Sequence, residues 1–116
     1  MTWWTGWQRH LGAAALATGA LLGSAPAAAQ ARFGPEQISQ GHAQFDRTCA
    51  QCHGRNMVNS GTTVYDLRRF PIDDPDRFFS SLSNGKGNMP SFKEALTPEQ
   101  MKLLWAYVGS RGGKEP

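Results

Sequence analysis

The feature that most constrains this chain is the five-residue motif Cys49-Ala50-Gln51-Cys52-His53, which holds both of its cysteines. Two cysteines separated by two residues, with a histidine directly after the second, form the attachment pattern of c-type haem. This spacing lets one helical turn present both sulfurs to the same edge of a porphyrin, where each thiol adds across a vinyl group. The motif therefore predicts covalent haem at Cys49 and Cys52, with His53 as the proximal ligand of the iron.

Three other interpretations of the two cysteines have to be weighed. A thioredoxin-like redox pair expects a strand before the motif and alternating strands and helices, and neither pattern is visible. A zinc site would need His42, which comes from the preceding helical segment at an unusual spacing and is more simply a partly exposed surface residue. A structural disulfide across two residues would be strained and would close almost no loop. The sequence favours haem attachment over all three.

The first 29 residues have the composition of a secretory signal peptide. Arg9 and His10 end a weakly basic start, residues 11–23 form an apolar run, and Ala27 and Ala29 stand in the small-residue pattern of a cleavage site. The apolar run is shorter than the roughly 20 residues of a membrane span, which argues against a retained anchor. We expect cleavage after Ala29, export to the periplasm, and a mature domain of residues 30–116.

The size and charge of this mature domain limit what it can do. A single domain of this length is marginal for a self-sufficient hydrophobic core, and a covalently held apolar macrocycle would supply part of the missing interior. The chain has 12 Lys and Arg against 9 Asp and Glu, and only Arg9 falls in the leader, so the mature net charge is +2. Two haem propionates would bring it close to neutral. No cluster of Lys and Arg follows the leader, so nucleic acid is not an expected partner.

Three segments carry the start signals of helices, with Pro35, Pro75 and Pro98 each at the first helical position. Asp74 is a good cap for the second helix, and residues 97–100 form a capping box for the third. The helices should span about 35–48, 75–84 and 98–109, which predicts an all-α domain. The apolar face of the last helix should consist of Leu103, Leu104, Tyr107 and Val108, with Trp105 to one side.

Residues 84–92 form the second segment that carries chemistry. A glycine-rich stretch ends in Met89, and Pro90 restricts the residue before it to extended conformations. Such a loop can reach over a flat cofactor and still present the methionine sulfur from a fixed point. Met89 is therefore the predicted distal ligand of the iron. Met57 follows the motif too closely to cross to the other face, and Met101 begins the last helix.

Together these segments resemble the class I c-type cytochromes, which carry one haem. The resemblance implies a cytochrome c fold, in which three main helices and irregular loops surround one covalently bound haem. In that family a glycine and an aromatic residue four apart on the first helix cross the last helix at close range. The matching residues here are Gly41 with Phe45 on the first helix, and Leu104 with Tyr107 on the last.

The sequence departs from that family in the connection after the motif. The family usually carries Gly-Pro-x-Leu there, and the carbonyl of its proline accepts a hydrogen bond from the proximal histidine. Here the stretch reads Val64-Tyr65-Asp66-Leu67, so only Leu67 carries over and the acceptor for the His53 Nδ1 proton stays unassigned. Arg68 and Arg69 follow, and either one is shaped to bind a haem propionate, although a solvated surface position fits them equally well.

Iron held by both His53 and Met89 has no open position, so single-electron transfer is expected and catalysis is not. The resemblance implies a soluble, monomeric periplasmic carrier between redox protein partners, from a dehydrogenase donor to an oxidase or another acceptor. Residues 70–107 loosely resemble small cytochromes that serve quinoprotein alcohol dehydrogenases, which suggests a PQQ enzyme as donor. Two alternatives stay open. One is a haem with a labile distal site that binds gases or reduces peroxide. The other is a permanent cytochrome subunit of a larger dehydrogenase or oxidase complex.

Overall fold

The structure is a computed structural model that describes residues 19, 23, 24, 31–59, 61 and 63–116, so nearly all of the expected signal peptide lies outside the described residues. The described part contains four α-helices, namely α1 (Pro35–Thr48), α2 (Ala50–His53), α3 (Pro75–Asn84) and α4 (Pro98–Gly109). Single-turn 3-10 helices at Arg55–Met57 and Leu67–Arg69 lie between α2 and α3. None of the described helices has the length and apolar character needed to cross a bilayer. The predicted all-α fold is confirmed, and the helical turn expected at the CxxCH motif forms the separate short helix α2.

Two of the helices begin at side chains that bind the first free backbone N–H groups. The Asp74 carboxylate accepts a hydrogen bond from the backbone N–H of Arg77 at 3.1 Å and so caps α3. At α4 the Thr97 hydroxyl accepts from the backbone N–H of Gln100 at 3.2 Å, and the Gln100 side chain accepts from the N–H of Thr97 at 2.9 Å. Both starts agree with the predicted ones, because caps of this kind depend only on neighbouring residues.

Helices α1 and α4 cross at close range at Gly41. A Cβ added to Gly41 would lie 2.0 Å from the carbonyl oxygen of Leu103 and 3.0 Å from the Cβ of Tyr107. One turn later, Phe45 is fully buried and packs on Tyr107 with ring centroids 5.2 Å apart. Leu104 is also fully buried. Gly41 and Phe45 therefore meet α4 as expected, and the glycine sets how near the two helices come.

The expectation that Trp105 stands to one side of the α4 apolar face is wrong. Its side chain is buried, and its indole contacts the rings of Phe33, Phe70 and Phe78, the last at a centroid distance of 5.0 Å. The reason is that α4 is covered on two sides, by α1 on one and by α3 with its preceding loop on the other. A helix covered twice does not show the single apolar stripe on which the prediction relied.

Arginine side chains tie the ends of the domain to its middle. The Arg32 guanidinium donates to the carbonyl of Ile72 at 3.0 Å and to the carbonyl of Gly109 at 2.6 Å. The second contact binds a free carbonyl at the C-terminus of α4, where the helix dipole favours a cation. The Arg111 guanidinium donates to the carbonyl of Arg68. These contacts fasten the loop between α2 and α3 against α4.

A tight loop after α3 presents Met89. Gly85 has a φ of 74° and a ψ of 169°, a region open essentially to glycine alone. Lys86 and Met89 then exchange two backbone hydrogen bonds of 3.0 Å each. The hydroxyl of Ser91 donates to the carbonyl of Ser83 and ties the end of the loop back to α3. The backbone on both sides of Met89 is therefore held in place.

Replacing Gly41 with alanine should destabilise the domain, although alanine is the better helix former. Helix propensity alone would favour the change by about 1 kcal/mol. A methyl group 2.0 Å from a backbone oxygen must instead push the helices apart, and overpacking of this kind costs roughly 1–3 kcal/mol. We expect a net loss of about 1–2 kcal/mol in the free energy of unfolding, measured by urea titration. Ala43→Gly on the exposed side of α1 is the control for propensity and should cost about 1 kcal/mol. A Gly41→Ala variant as stable as the wild type would contradict the close crossing.

Gly85→Ala should be more destabilising than Gly87→Ala, although both glycines have positive φ values of 74° and 58°. Nothing lies within 4 Å of a Cβ at Gly87, so that change should cost only the left-handed backbone penalty of roughly 1–2 kcal/mol. A Cβ at Gly85 would also lie 2.7 Å from the carbonyl oxygen of Met89 and 3.0 Å from the backbone nitrogen of Ser91. Guanidinium unfolding of the two variants in parallel measures the difference. Equal losses would mean that Gly85 does not shape the loop.

Candidate functional site

An open cavity of about 450 Å³ lies among the four α-helices and the loops that connect them. Its walls are mainly apolar and include Leu67, Phe70, Phe78, Leu82, Phe92, Leu104 and Val108. The four residues singled out from the sequence for haem and iron binding all line it, namely Cys49, Cys52, His53 and Met89. Two thiols, an imidazole and a thioether on one apolar cavity form a donor set that fits a covalently attached haem.

The CxxCH motif is presented by a single helical turn. Cys49 ends α1 through a 2.8 Å hydrogen bond from its N–H to the carbonyl of Phe45, and it is also the N-cap of α2. The N–H groups of Cys52 and His53 both donate to the carbonyl of Cys49, at 3.1 and 2.9 Å. Both cysteines are free thiols. One turn of backbone thus places the two sulfurs and the imidazole at the same cavity.

The ionisation of Cys49 does not suit a redox-active pair. Burial, and to a lesser extent the nearby Cys52, raise the pKa of the Cys49 thiol to about 12. A thioredoxin-like cysteine pair depends on a thiol whose pKa is lowered, so that a nucleophilic thiolate is present near neutral pH. Cys49 instead stays protonated. The chemistry of this thiol therefore argues against the thioredoxin-like interpretation.

The structure supplies the acceptor for the His53 Nδ1 proton that the sequence left unassigned. The Nδ1 atom lies 3.2 Å from the backbone carbonyl oxygen of Tyr65. Because a carbonyl can only accept, this hydrogen bond requires the proton on Nδ1 and leaves the Nε2 lone pair free for a metal. Burial lowers the pKa of His53, and the hydrogen bond to Tyr65 opposes that shift. Tyr65 occupies the position of the proline in the Gly-Pro-x-Leu pattern, so counting back from Leu67 would have found it.

Met89 reaches the cavity from a different element than His53. It lies on the loop after α3, is partly buried, and packs against the hydrophobic core. Met57 and Met101 are buried in that core, and neither is among the residues that line the cavity. Of the chain's methionines that the structure describes, only Met89 presents a thioether to this cavity.

His42 contacts Tyr107 and Asp46 and does not line the cavity. Its imidazole stacks on the Tyr107 ring with centroids 4.5 Å apart and planes 9° from parallel, and its Nε2 lies 3.7 Å from the Asp46 carboxylate. The zinc interpretation required His42 to join the two cysteines. Within the part of the chain that the structure describes, no three His, Cys, Asp or Glu side chains are grouped as a metal site.

The arginines after the motif do not face the cavity. Arg68 donates from Nε and Nη2 to both oxygens of Asp66, at 2.9 and 2.8 Å. These hydrogen bonds hold the pKa of the Asp66 carboxyl below its usual value, so the pair stays charged. Neither Arg68 nor Arg69 lines the cavity, whereas Arg77 on α3 does. The sequence patterns did not single out Arg77, which reads as an ordinary exposed residue in the first turn of a helix.

Comparison with known proteins places the domain in a family. Residues 36–108 match the family model described as cytochrome c oxidase, cbb3-type, subunit III. A cytochrome c6 from Gloeothece citriformis is 35% identical over 74 residues, which cover 60% of this chain and 67% of that protein. A cytochrome c6 from Thermosynechococcus vestitus is 31% identical over 111 residues, which cover 92% and 95%. The quinohemoprotein alcohol dehydrogenase ADH-IIG from Pseudomonas putida is 37% identical over 76 residues, 64% of this chain and 10% of that protein.

Coverage of the relatives varies. Matches to two further cytochromes c6 span 61% and 65% of those proteins, which is just under two thirds of their length. The segment that matches the family model runs from α1 almost to the end of α4 and contains all four candidate site residues. The chain belongs to the class I monohaem c-type cytochromes, electron-transfer proteins that carry one covalently bound haem c.

Proposed function

We propose that this protein carries single electrons on one haem c that is attached through Cys49 and Cys52 and held on iron by His53 and Met89. The observation that supports this proposal is that all four side chains line one mainly apolar cavity. With an imidazole and a thioether on the iron, no position remains for a substrate. Outer-sphere exchange through the haem edge is then the activity that this ligand set allows.

The surroundings of the four residues favour a high reduction potential. Methionine is a soft ligand that favours ferrous iron, and an apolar cavity disfavours the additional charge of the ferric state. The lowered pKa of His53 keeps its imidazole neutral over a wider pH range, which suits a metal ligand. The carrier would thus accept electrons from a donor of lower potential and pass them to an oxidase or another cytochrome.

We extend the proposal to the cellular location of the protein and to its redox partners. The composition of residues 1–29 supports a cleaved signal peptide, export to the periplasm and a mature domain of residues 30–116. The 76-residue match to a quinohemoprotein alcohol dehydrogenase supports a quinoprotein dehydrogenase as the electron donor. Lys86 and Lys93, which flank the Met89 loop and are exposed, offer charge that steers a partner to this side of the molecule.

Covalent attachment is tested with the two cysteines. Protein produced in a host that attaches haem c should keep its colour after extraction with acidified butanone, because both links are thioethers. Cys49→Ser and Cys52→Ser should each keep haem through one thioether and show a pyridine haemochrome band at longer wavelength, since one vinyl group stays conjugated with the ring. The double variant should lose all of its haem to the solvent. A colourless wild-type protein would overturn the proposal.

Distal ligation is tested with Met89→Leu, which keeps a side chain of similar size and removes the sulfur. The ferric wild type should show the weak charge-transfer band at the red end of the spectrum that reports a methionine–iron bond. The variant should lose this band and should have a lower reduction potential. Met57→Leu and Met101→Leu, at buried methionines away from the cavity lining, should keep the band. Its absence from the wild type would favour a haem with an open distal site that reduces peroxide or binds small gases.

A further inference from the structure

We propose that Arg77 binds a propionate of the haem, so that α3 holds the edge of the cofactor opposite the thioether links. This inference rests on the proposed haem attachment at Cys49 and Cys52 and adds a cofactor-binding residue to it. The ligand group is a carboxylate. Arginine presents a planar fork of N–H donors that matches a carboxylate with two parallel hydrogen bonds.

Arg77 is placed on the cavity side of α3. It lines the cavity together with Ser81, Phe78 and Leu82 of the same helix. Ser81 lies one turn further along α3, and its hydroxyl donates to the backbone carbonyl of Arg77 at 2.8 Å. Because that proton is already used, Arg77 is the side chain on this face of α3 that can donate to a carboxylate. Vinyl and propionate groups lie on opposite edges of the haem. A cofactor attached at Cys49 and Cys52 therefore directs its propionates away from α2.

The head of Arg77 is held by aromatic rings and has no carboxylate partner among the described residues. Its guanidinium carbon lies 5.8 Å from the ring centroid of Tyr65 and 5.3 Å from that of Phe70. Both rings line the same cavity. The carboxylate of Asp74 accepts from the backbone N–H of Arg77 and caps the helix. The ring contacts fix where the charge lies and leave the N–H edge of the fork available to an anion.

Other cations near the cavity are less suited to this role. Arg68 already binds both oxygens of Asp66, and Arg69 is not among the residues that line the cavity. Lys86 also lines the cavity, and both it and Arg77 are exposed, but its ammonium is a point charge that lacks the planar fork by which a guanidinium matches a carboxylate. Arg77 is therefore the guanidinium that the described part of the fold directs to this cavity.

The test compares Arg77→Gln with Arg69→Gln, since both remove one positive charge and only the first lies on the cavity. A cation paired with a propionate offsets a negative charge that would otherwise stabilise ferric iron. Arg77→Gln should therefore lower the reduction potential, by up to about a tenfold change in the equilibrium constant, which is about 59 mV for one electron. It should also shift the propionate carboxylate stretch in infrared difference spectra of the reduced and oxidised protein. Arg69→Gln should leave that stretch unchanged and should move the potential less.

Arg77→Lys separates the charge from the geometry of the fork. Because the positive charge is kept, the reduction potential of this variant should stay near the wild-type value. The carboxylate stretch should still shift, because one ammonium cannot replace two parallel N–H bonds. If Arg77→Gln does not mature to a haem protein, an Arg77→Lys protein with the wild-type stretch overturns the inference. Equal effects of Arg77→Gln and Arg69→Gln also overturn it. Either result rejects only the role of Arg77, provided that the wild type has covalent haem and the methionine–iron band. A wild type that lacks the haem or the band would overturn the proposed function as well.

Discussion

The close approach of α1 and α4 at Gly41 is the constraint on which the rest of the domain depends. Because α1 ends at Thr48 and Cys49 caps the next turn, the position of α1 on α4 also determines where the CxxCH motif lies. The same α4 contributes Leu104 and Val108 to the cavity wall. A side chain at the crossing would move the attachment turn relative to the wall that it faces. The packing of α1 on α4 therefore determines the geometry of the haem site as well as the core.

The second half of the site is assembled separately and joined through aromatic contacts. Trp105 connects α4 to Phe78 on α3 and to Phe70 in the preceding loop, and so fixes the wall from which Met89 comes. Backbone geometry at Gly85 then fixes the Met89 loop itself. A carrier exchanges electrons quickly when its ligands move little between the two redox states. The separate backbone restraints on His53 and Met89 would hold both proposed axial ligands in place before the haem binds.

Local chemistry could be predicted from the sequence, and contacts between distant segments could not. The helix starts at Asp74 and Thr97 depend on residues three positions away, and the CxxCH motif is contiguous, so both were visible. The burial of Trp105 depends on two elements that cover α4 from different sides, which periodicity in one helix does not encode. The acceptor on Tyr65 is a backbone carbonyl, so its residue type does not reveal it, and only its position two residues before Leu67 could have indicated it. Arg77 shows its role only once α3 is folded against the cavity.

Tyr65 also shows how this chain does without the proline that its family usually has at this position. A proline restricts the backbone and so fixes the carbonyl that binds the proximal histidine. Here side chains restrain the same backbone. The Tyr65 hydroxyl donates to the carbonyl of Arg69 at 3.2 Å, and Asp66 accepts from the backbone N–H of Arg68 at 3.0 Å. The Tyr65 ring in turn packs against Phe70. Tyr65 therefore accepts a hydrogen bond from His53 through its carbonyl and contacts Arg77 through its ring, so one residue positions both the proposed proximal ligand and the arginine at the cavity.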